Sequence, residues 1–452
     1  MRTALRRLWE RLHASYWFVP VLMISAATAM AVALLNADNV WWTTTWTDSA
    51  YFYGGSAQGA QQLLSALAGS MMTAAAMTFS VLVVVLSLAS QQFGPRLLRN
   101  YLADAGNQFV IGGLIATYVY LVLVLSRVHE VPQSNFVPRI ATTAGLLLAV
   151  GSFILLLYFV HHTANSVRVG RVINRVGNDL RKETREMYPR KLGREPAPQV
   201  VPPRLPTPQE FRDQSRVVVA GADGYIETVE LRQVMKLAVR HDLVIRLLKR
   251  PGQHLVRGGE LMLAWPLERV NEHLARKLTA TFSLLRYRTP TQDIEFSIEQ
   301  LVEVAVRALS PGINDPFTAI ACIDELAEAL ATLASMPMPS MFRYDERGRL
   351  RVICELYTFE GITRSMFAQI RQATGHHVAV AIRLLEALAK VAPGATRAAD
   401  RRNLLEHAAL IRQQMLSNGP QPQDAQDVEQ RYQQAVEILR LSPPGGQGPA
   451  TG

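Results

Sequence analysis

The sequence is poor in three things. It has two cysteines, Cys322 and Cys354, in 452 residues. That is too few for a disulfide framework, and nothing calls for an oxidising compartment. It has no Asp, Glu, Lys or Arg inside its four long apolar stretches, residues 16–35, 63–90, 109–125 and 140–160. Proton-coupled transport and voltage sensing need ionisable groups at such depths, so both are disfavoured. It also lacks catalytic spacing: no Gly-rich phosphate loop, no HExxH, no nucleophile elbow, no histidine and cysteine at metal-ligand spacing. His376 and His377 are adjacent, so on a helix they point to different faces and share a metal poorly. Neither an enzyme nor a cofactor or metal is expected.

What is present divides in two. Hydrophobic residues make up 49% of the chain and charged ones 19%, with a mean hydropathy of +0.09. The first third carries the apolar excess. A wholly soluble enzyme, a disordered chain and a secreted disulfide scaffold are excluded. Each apolar stretch is near or above the roughly 18–20 residues that cross a bilayer core. Basic residues cluster on one side: Arg2, Arg6, Arg7 and Arg11, then Arg96 and Arg99, then Arg168, Arg171 and Arg175. The other side has Arg127 and Arg139, with Asp38, Asp48 and Glu130. The positive-inside rule therefore puts both termini in the cytoplasm. The net charge of +10 reads as topology and contact with anionic lipid heads, not as nucleic-acid binding. Ala31-Val-Ala33 imitates a signal-peptidase site, but the apolar run before it is too long, so a retained helix is expected. Trp41, Trp42, Trp46, Tyr51, Phe52 and Tyr53 then form an interfacial aromatic belt.

The second stretch carries the candidate functional residues. Ser70, Thr73, Met77, Ser80, Val84, Ser87 and Gln91 recur at spacings of three and four, one stripe on one helix face. Polar groups avoid lipid, so this face meets protein or water. One reading is helix packing through small residues and hydroxyls. The other is the lining of an aqueous path in a homo-oligomer, open to a small ion or solute. The helix is expected to break at Gly94 and Pro95, a gate or hinge leading into an amphipathic segment at residues 96–102. Small mechanosensitive channels share that arrangement by architecture, not by sequence. His161 and His162, at the inner end of the fourth stretch, are interfacial anchors or a pH-sensitive pair.

Beyond the fourth stretch a basic amphipathic helix leaves the membrane. Residues 168–194 hold nine basic and three acidic residues, a composition that attracts anionic lipid or simply obeys the positive-inside rule. Six prolines in residues 196–208 make a stiff linker. Short strands at 217–220, 225–229, 243–248 and 261–265, with Gly-containing turns, predict a small β-rich, barrel-like module. Its turns resemble those of biotinyl and lipoyl carrier domains, but the modifiable lysine is missing. Helical periodicity returns near Asp293, an expected N-cap. Ser310-Pro-Gly312 stops that helix, and Asn314-Asp315-Pro316 starts the next, a helix corner or an anion site. Residues 336–351 are expected as a loop that edges into a strand at 350–356.

The expected domains are a basic N-terminus (1–15), a four-helix transmembrane domain (16–162), an exit helix and linker (163–212), a β-rich module (213–267), a mainly helical domain (268–441) and a disordered tail (442–452). The fold class is an α-helical membrane bundle followed by an α+β cytoplasmic region.

The run from Met77 to Asn100, the segment Gln292-Asp-Ile-Glu-Phe296 and the segment Ala308-Leu-Ser-Pro-Gly-Ile-Asn-Asp-Pro-Phe-Thr-Ala-Ile320 are distinctive. Together they resemble the bacterial predicted membrane proteins grouped as domain of unknown function 2254. The resemblance covers nearly the whole chain apart from both tails. It implies an inner-membrane protein with a cytoplasmic domain, and it assigns no activity and no functional residue. Three functional readings follow, in decreasing order: a homo-oligomeric channel, a membrane-anchored sensor or scaffold, and an enzyme with an unfamiliar site around Asp293, Asn314 and Asp315.

Overall fold

The structure is a computed structural model that describes residues 17–41, 52–93, 104–131, 134–166, 169–186 and 207–441. The chain divides into two compact units, Met1–Arg171 and Val172–Gly452. The basic N-terminal arm, most of the proline-rich linker and the C-terminal tail lie outside the described residues.

Among the described residues the first unit holds four long helices: α1 (Phe18–Trp41), α2 (Ala57–Phe93), α3 (Ala105–Leu125) and α4 (Arg139–Ser166). Each contains a segment long and apolar enough to span a membrane: Phe18–Asn39, Ala57–Leu88, Ala105–Leu125 and Arg139–Thr163. Between α3 and α4, β1 (His129–Val131) and β2 (Ser134–Phe136) form an antiparallel hairpin. Helix α3 is the hub and packs on the other three. Small residues allow this. A Cβ on Gly112 would lie 3.0 Å from the Pro20 Cα, so the α1 backbone approaches only because that atom is missing. Hydrogen bonds tie the hub in place. Ser152 Oγ lies 2.9 Å from Thr117 Oγ1, and Tyr120 donates to the Ala141 carbonyl at 2.8 Å. Asp38, near the end of α1 and 4% exposed, accepts from the backbone N–H groups of Ile140 and Ala141 at 3.0 and 2.9 Å. It caps α4 from another helix.

The second unit takes in most of α5 (Val169–Arg185), then α6 (Pro208–Asp213) and a mixed region. That region holds β3 (Arg216–Val219), β4 (Gly224–Val229), α7 (Leu231–Arg240), β5 (Val244–Leu247), β6 (His254–Leu255), β7 (Glu260–Trp265), α8 (Glu272–Thr279) and β8 (Phe282–Leu285). Helices α9 (Ile294–Ala308) and α10 (Pro316–Ala334) follow, then β9 (Phe342–Tyr344) and β10 (Leu350–Ile353). The described chain closes with α11 (Phe359–Ala373), α12 (Val378–Val391), α13 (Ala398–Ser417) and α14 (Pro422–Arg440).

The expected barrel-like module is not formed. The strands make two open sheets, ordered β3-β7-β5-β10-β9 and β6-β4-β8. Closure fails because the partners come from far along the chain. β8 pairs with β4 across the stretch that carries α8, and β10 pairs in parallel with β5. The sheets thus draw on residues well beyond position 267: the segment expected as a loop contributes β9, while the strand expected at its edge, 350–356, is found as β10. Arg351 fixes the β10 junction by donating to Asp345 at 2.9 Å and to Asp242, just ahead of β5, at 2.8 Å. Val218, Ile226, Ile245, Leu261 and Val352 form one core with the buried faces of α7 and α8. The helices stack around a second layer, α9 on α10 and α11, α12 on α10 and α14, α13 on α14. His376 and His377 lie just before α12 rather than on it, which corrects the helical placement expected for them.

Candidate functional site

Helix α2 presents two faces with the same periodicity. Ala57, Ala60, Leu64, Ala68, Met71, Ala75, Thr78 and Leu82 are buried against the bundle. The expected stripe points the other way. Ser70, Thr73, Met77, Ser80, Val84 and Ser87 are all exposed, Met77 at 65% and Val84 at 56%. Packing within the chain therefore uses the alanine face and not the polar stripe. Ser70 donates to the Ala66 carbonyl at 2.8 Å and Thr73 to that of Gly69 at 2.9 Å. Such bonding to the preceding turn satisfies a hydroxyl without a partner helix. The Gln91 side chain, Gly94, Pro95, Arg96 and Arg99 lie outside the described residues.

At one end of the bundle a polar group gathers that the sequence reading only half found. His162 Nε2 is 2.9 Å from Asp104 Oδ1. The Tyr158 ring stacks on the imidazole with centroids 5.2 Å apart. Asp104 also caps α3 by accepting from the N–H groups of Gly106 and Asn107 at 2.9 and 3.2 Å. His162 therefore pairs with an aspartate from a different element, while His161 is exposed. The signal was an aspartate immediately ahead of an apolar run, the usual mark of a helix start.

In the second unit the segment 292–296 sits at a dense knot of charge. Asp293 occupies the N-cap position of α9 but makes no side-chain cap bond, contrary to expectation. Its side chain is fully buried. Arg288 captures it first, with Nε 2.6 Å from Oδ2 and Nη2 3.2 Å from Oδ1. The same guanidinium reaches Glu299 at 2.6 Å. Arg250 forks onto Glu295 at 3.0 and 3.2 Å and lies 4.1 Å over the Tyr357 ring. The Tyr357 hydroxyl lies 3.2 Å from Asp293 Oδ1. Gly252, at φ +89°, completes the enclosure, because a Cβ there would overlap the Asp293 carboxylate. Burial drives the Asp293 carboxyl above its ordinary range against the opposing pull of Arg288, and burial likewise raises Tyr357. Burial lowers Arg288, and Asp293 and Glu299 more than reverse it. This set of paired charges ties the β5–β6 turn to α9 and the start of α11.

The Asn314–Asp315 corner is a closed helix start. Asn314 is exposed, in the left-handed region at φ +51°. Asp315 accepts from the Thr318 N–H at 3.1 Å and from its hydroxyl at 2.6 Å. A carboxylate of the chain itself thus takes the place an anion would occupy at the head of α10. Among the described residues, no group of three or more His, Cys, Asp or Glu is placed to hold a metal ion.

The exit helix α5 buries Ile173, Val176 and Leu180 within the second unit. Its apolar face is covered by protein, while Arg171 and Arg175 are exposed on the opposite side; Arg168 lies outside the described residues. Arg181 reaches Glu325 at 2.6 Å and Glu328 at 2.7 Å, both on α10.

Comparison with known proteins places this architecture among relatives. The family described as predicted membrane protein (DUF2254) matches residues 13–390. Uncharacterized proteins of Mycobacterium bovis and of Mycobacterium tuberculosis are each 28% identical over 396 residues, covering 85% of this chain and 73% of theirs. No solved structure matches the chain.

Proposed function

The chain belongs to the predicted membrane protein family DUF2254, and from that premise we propose that it assembles as a homo-oligomeric channel of the bacterial inner membrane. In this reading α2 lines a path for a small ion or solute, the second unit regulates it from the cytoplasm, and both termini are cytoplasmic. One observation carries the proposal: the Ser70–Thr73–Met77–Ser80–Val84–Ser87 stripe faces away from the chain's own bundle. Serine and threonine hydroxyls gain nothing from lipid, whereas around a symmetry axis such a stripe lines water. Arg171 and Arg175, with Arg96, Arg99 and Arg168, then meet anionic lipid heads. Catalysis, a cofactor and nucleic-acid binding form no part of this reading.

The test is the native mass of the full-length protein in lipid nanodiscs, followed by conductance recordings. The expected result is a stable ring of about four or more subunits, the copy number a central uncharged pore needs. Ser80→Phe and Ser87→Phe then alter conductance while the fold survives. A monomer or dimer turns the reading to a membrane-anchored sensor or scaffold whose second unit binds a partner. The backbone-satisfied hydroxyls of Ser70 and Thr73 favour that alternative, since they need no water.

A further inference from the structure

Helix α5 is where the chain passes from one unit to the other, and three features govern how it sits on the second unit. The first is a close seat. Gly177 faces Glu325 of α10 so tightly that a Cβ would overlap its carboxylate. The second is a charged clasp, in which Arg181 bridges Glu325 and Glu328 of α10. The third is a carboxylate with no cation of its own. Glu183 hydrogen-bonds Ser297 of α9 and lies within the electrostatic reach of Asp293, at the head of α9, and of Asp179, one turn back on α5. Its Oε2 is shut off from solvent and has no hydrogen-bond partner among the described residues. Arg288 is already engaged by Asp293 and Glu299, and Arg181 by α10, so neither cation is left over for Glu183.

We propose that the seating of α5 on α9 and α10 is a proton-operated latch, closed when Glu183 is protonated and loosened when it ionises. A neutral carboxyl tolerates burial and the neighbouring acids. An ionised one is desolvated and repelled by Asp179 and Asp293, and gains by swinging into water. Burial first, then those two acids, push the Glu183 carboxyl up to about 8, with Ser297 pulling the other way. The sign follows directly. The seated state binds the proton more tightly than a released one, whose carboxyl titrates near 4.5. Seating is therefore firmest in acid, weakens as pH rises from about 5 to about 8, and is flat above that. This inference is independent of whether the protein conducts.

The experiment is hydrogen exchange of the full-length protein in nanodiscs at pH 5.5, 7 and 8.5, corrected for intrinsic exchange. Residues 173–184 are read against α13, which packs on α11, α12 and α14. The expected result is at least a tenfold loss of α5 protection between pH 5.5 and 8.5 in the wild type, with α13 constant. Glu183→Gln holds α5 protected at every pH. Arg181→Ala lowers protection throughout but keeps the wild-type pH slope. Wild-type α5 protection that does not change with pH overturns the proposal without any variant. So does a Glu183→Gln profile that falls as steeply as the wild type.

Discussion

The two units bury carboxylates in opposite ways. In the membrane unit backbone N–H groups do most of it: those of Ile140 and Ala141 hold the buried Asp38, and those of Gly106 and Asn107, together with His162, hold the half-buried Asp104. In the second unit the largest group of them, Asp293, Glu295 and Glu299, is satisfied by the guanidinium groups of Arg288 and Arg250, with Glu183 the exception that has no cation. The difference follows from the surroundings. A helix start offers partial positive charge without a second formal charge to desolvate, which suits a medium with no water. An arginine offers a planar fork and full charge, which suits a core whose rim still touches solvent. The same residue type thus does its work through short-range dipoles in one place and through ion pairs in the other.

That contrast can be broken by substitution. Asp293→Ala leaves Arg288 with only its glutamate partners and the Tyr357 hydroxyl without its carboxylate, and removing one partner of a buried pair costs about 3–5 kcal/mol. Denaturant unfolding of the second unit within the full-length protein measures it, and Asp293→Asn, which keeps part of the hydrogen bonding, loses less. Asp38→Ala removes a cap rather than an ion pair, so a smaller loss is expected, about 1–2 kcal/mol. It is read as lowered thermal stability of the membrane unit in detergent. If Asp38→Ala proves as damaging as Asp293→Ala, the distinction drawn between the units is wrong. Asp315→Ala sharpens the comparison from the small end. It too removes a cap, at a partly exposed helix corner, and about 1 kcal/mol is expected from the same unfolding transition.

How much of this was legible in the sequence differs by element. The four apolar helices follow from length and hydropathy alone, because lipid imposes one rule on every residue. Which face of α2 turns inward does not. Ala60, Leu64, Ala68 and Met71 repeat with the same rhythm as Ser70, Thr73 and Met77, and only the fit of small side chains against α3 decides between them. Four strands of the mixed region, β3, β4, β5 and β7, are readable one at a time from their turns, whereas β6, β8 and β9 are not. Their closure was not, since β8 and β10 join from positions the local pattern treats as unrelated. Asp293 misled for a related reason. Its local context is that of an N-cap, but Arg288 five residues earlier and Tyr357 from β10's far side compete for the same oxygens. Local grammar predicts what a residue does when nothing distant reaches it.

The parallel pairing of β5 with β10 has a temporal consequence. Ile245 lies opposite Val352, so about a hundred residues must be synthesised after β5 before its neighbour exists. At roughly 5–20 residues per second of translation that is about 5–20 s. Throughout that interval the inner edge of β5 is bare, and an unpaired strand edge invites pairing with a neighbouring chain. A ribosome working beside others on the same message, with its first helices already in the bilayer, brings such edges close together. The α9–α10 pair, made inside that interval, therefore forms while the sheet is still incomplete, and the order of manufacture leaves the centre of the sheet to close late.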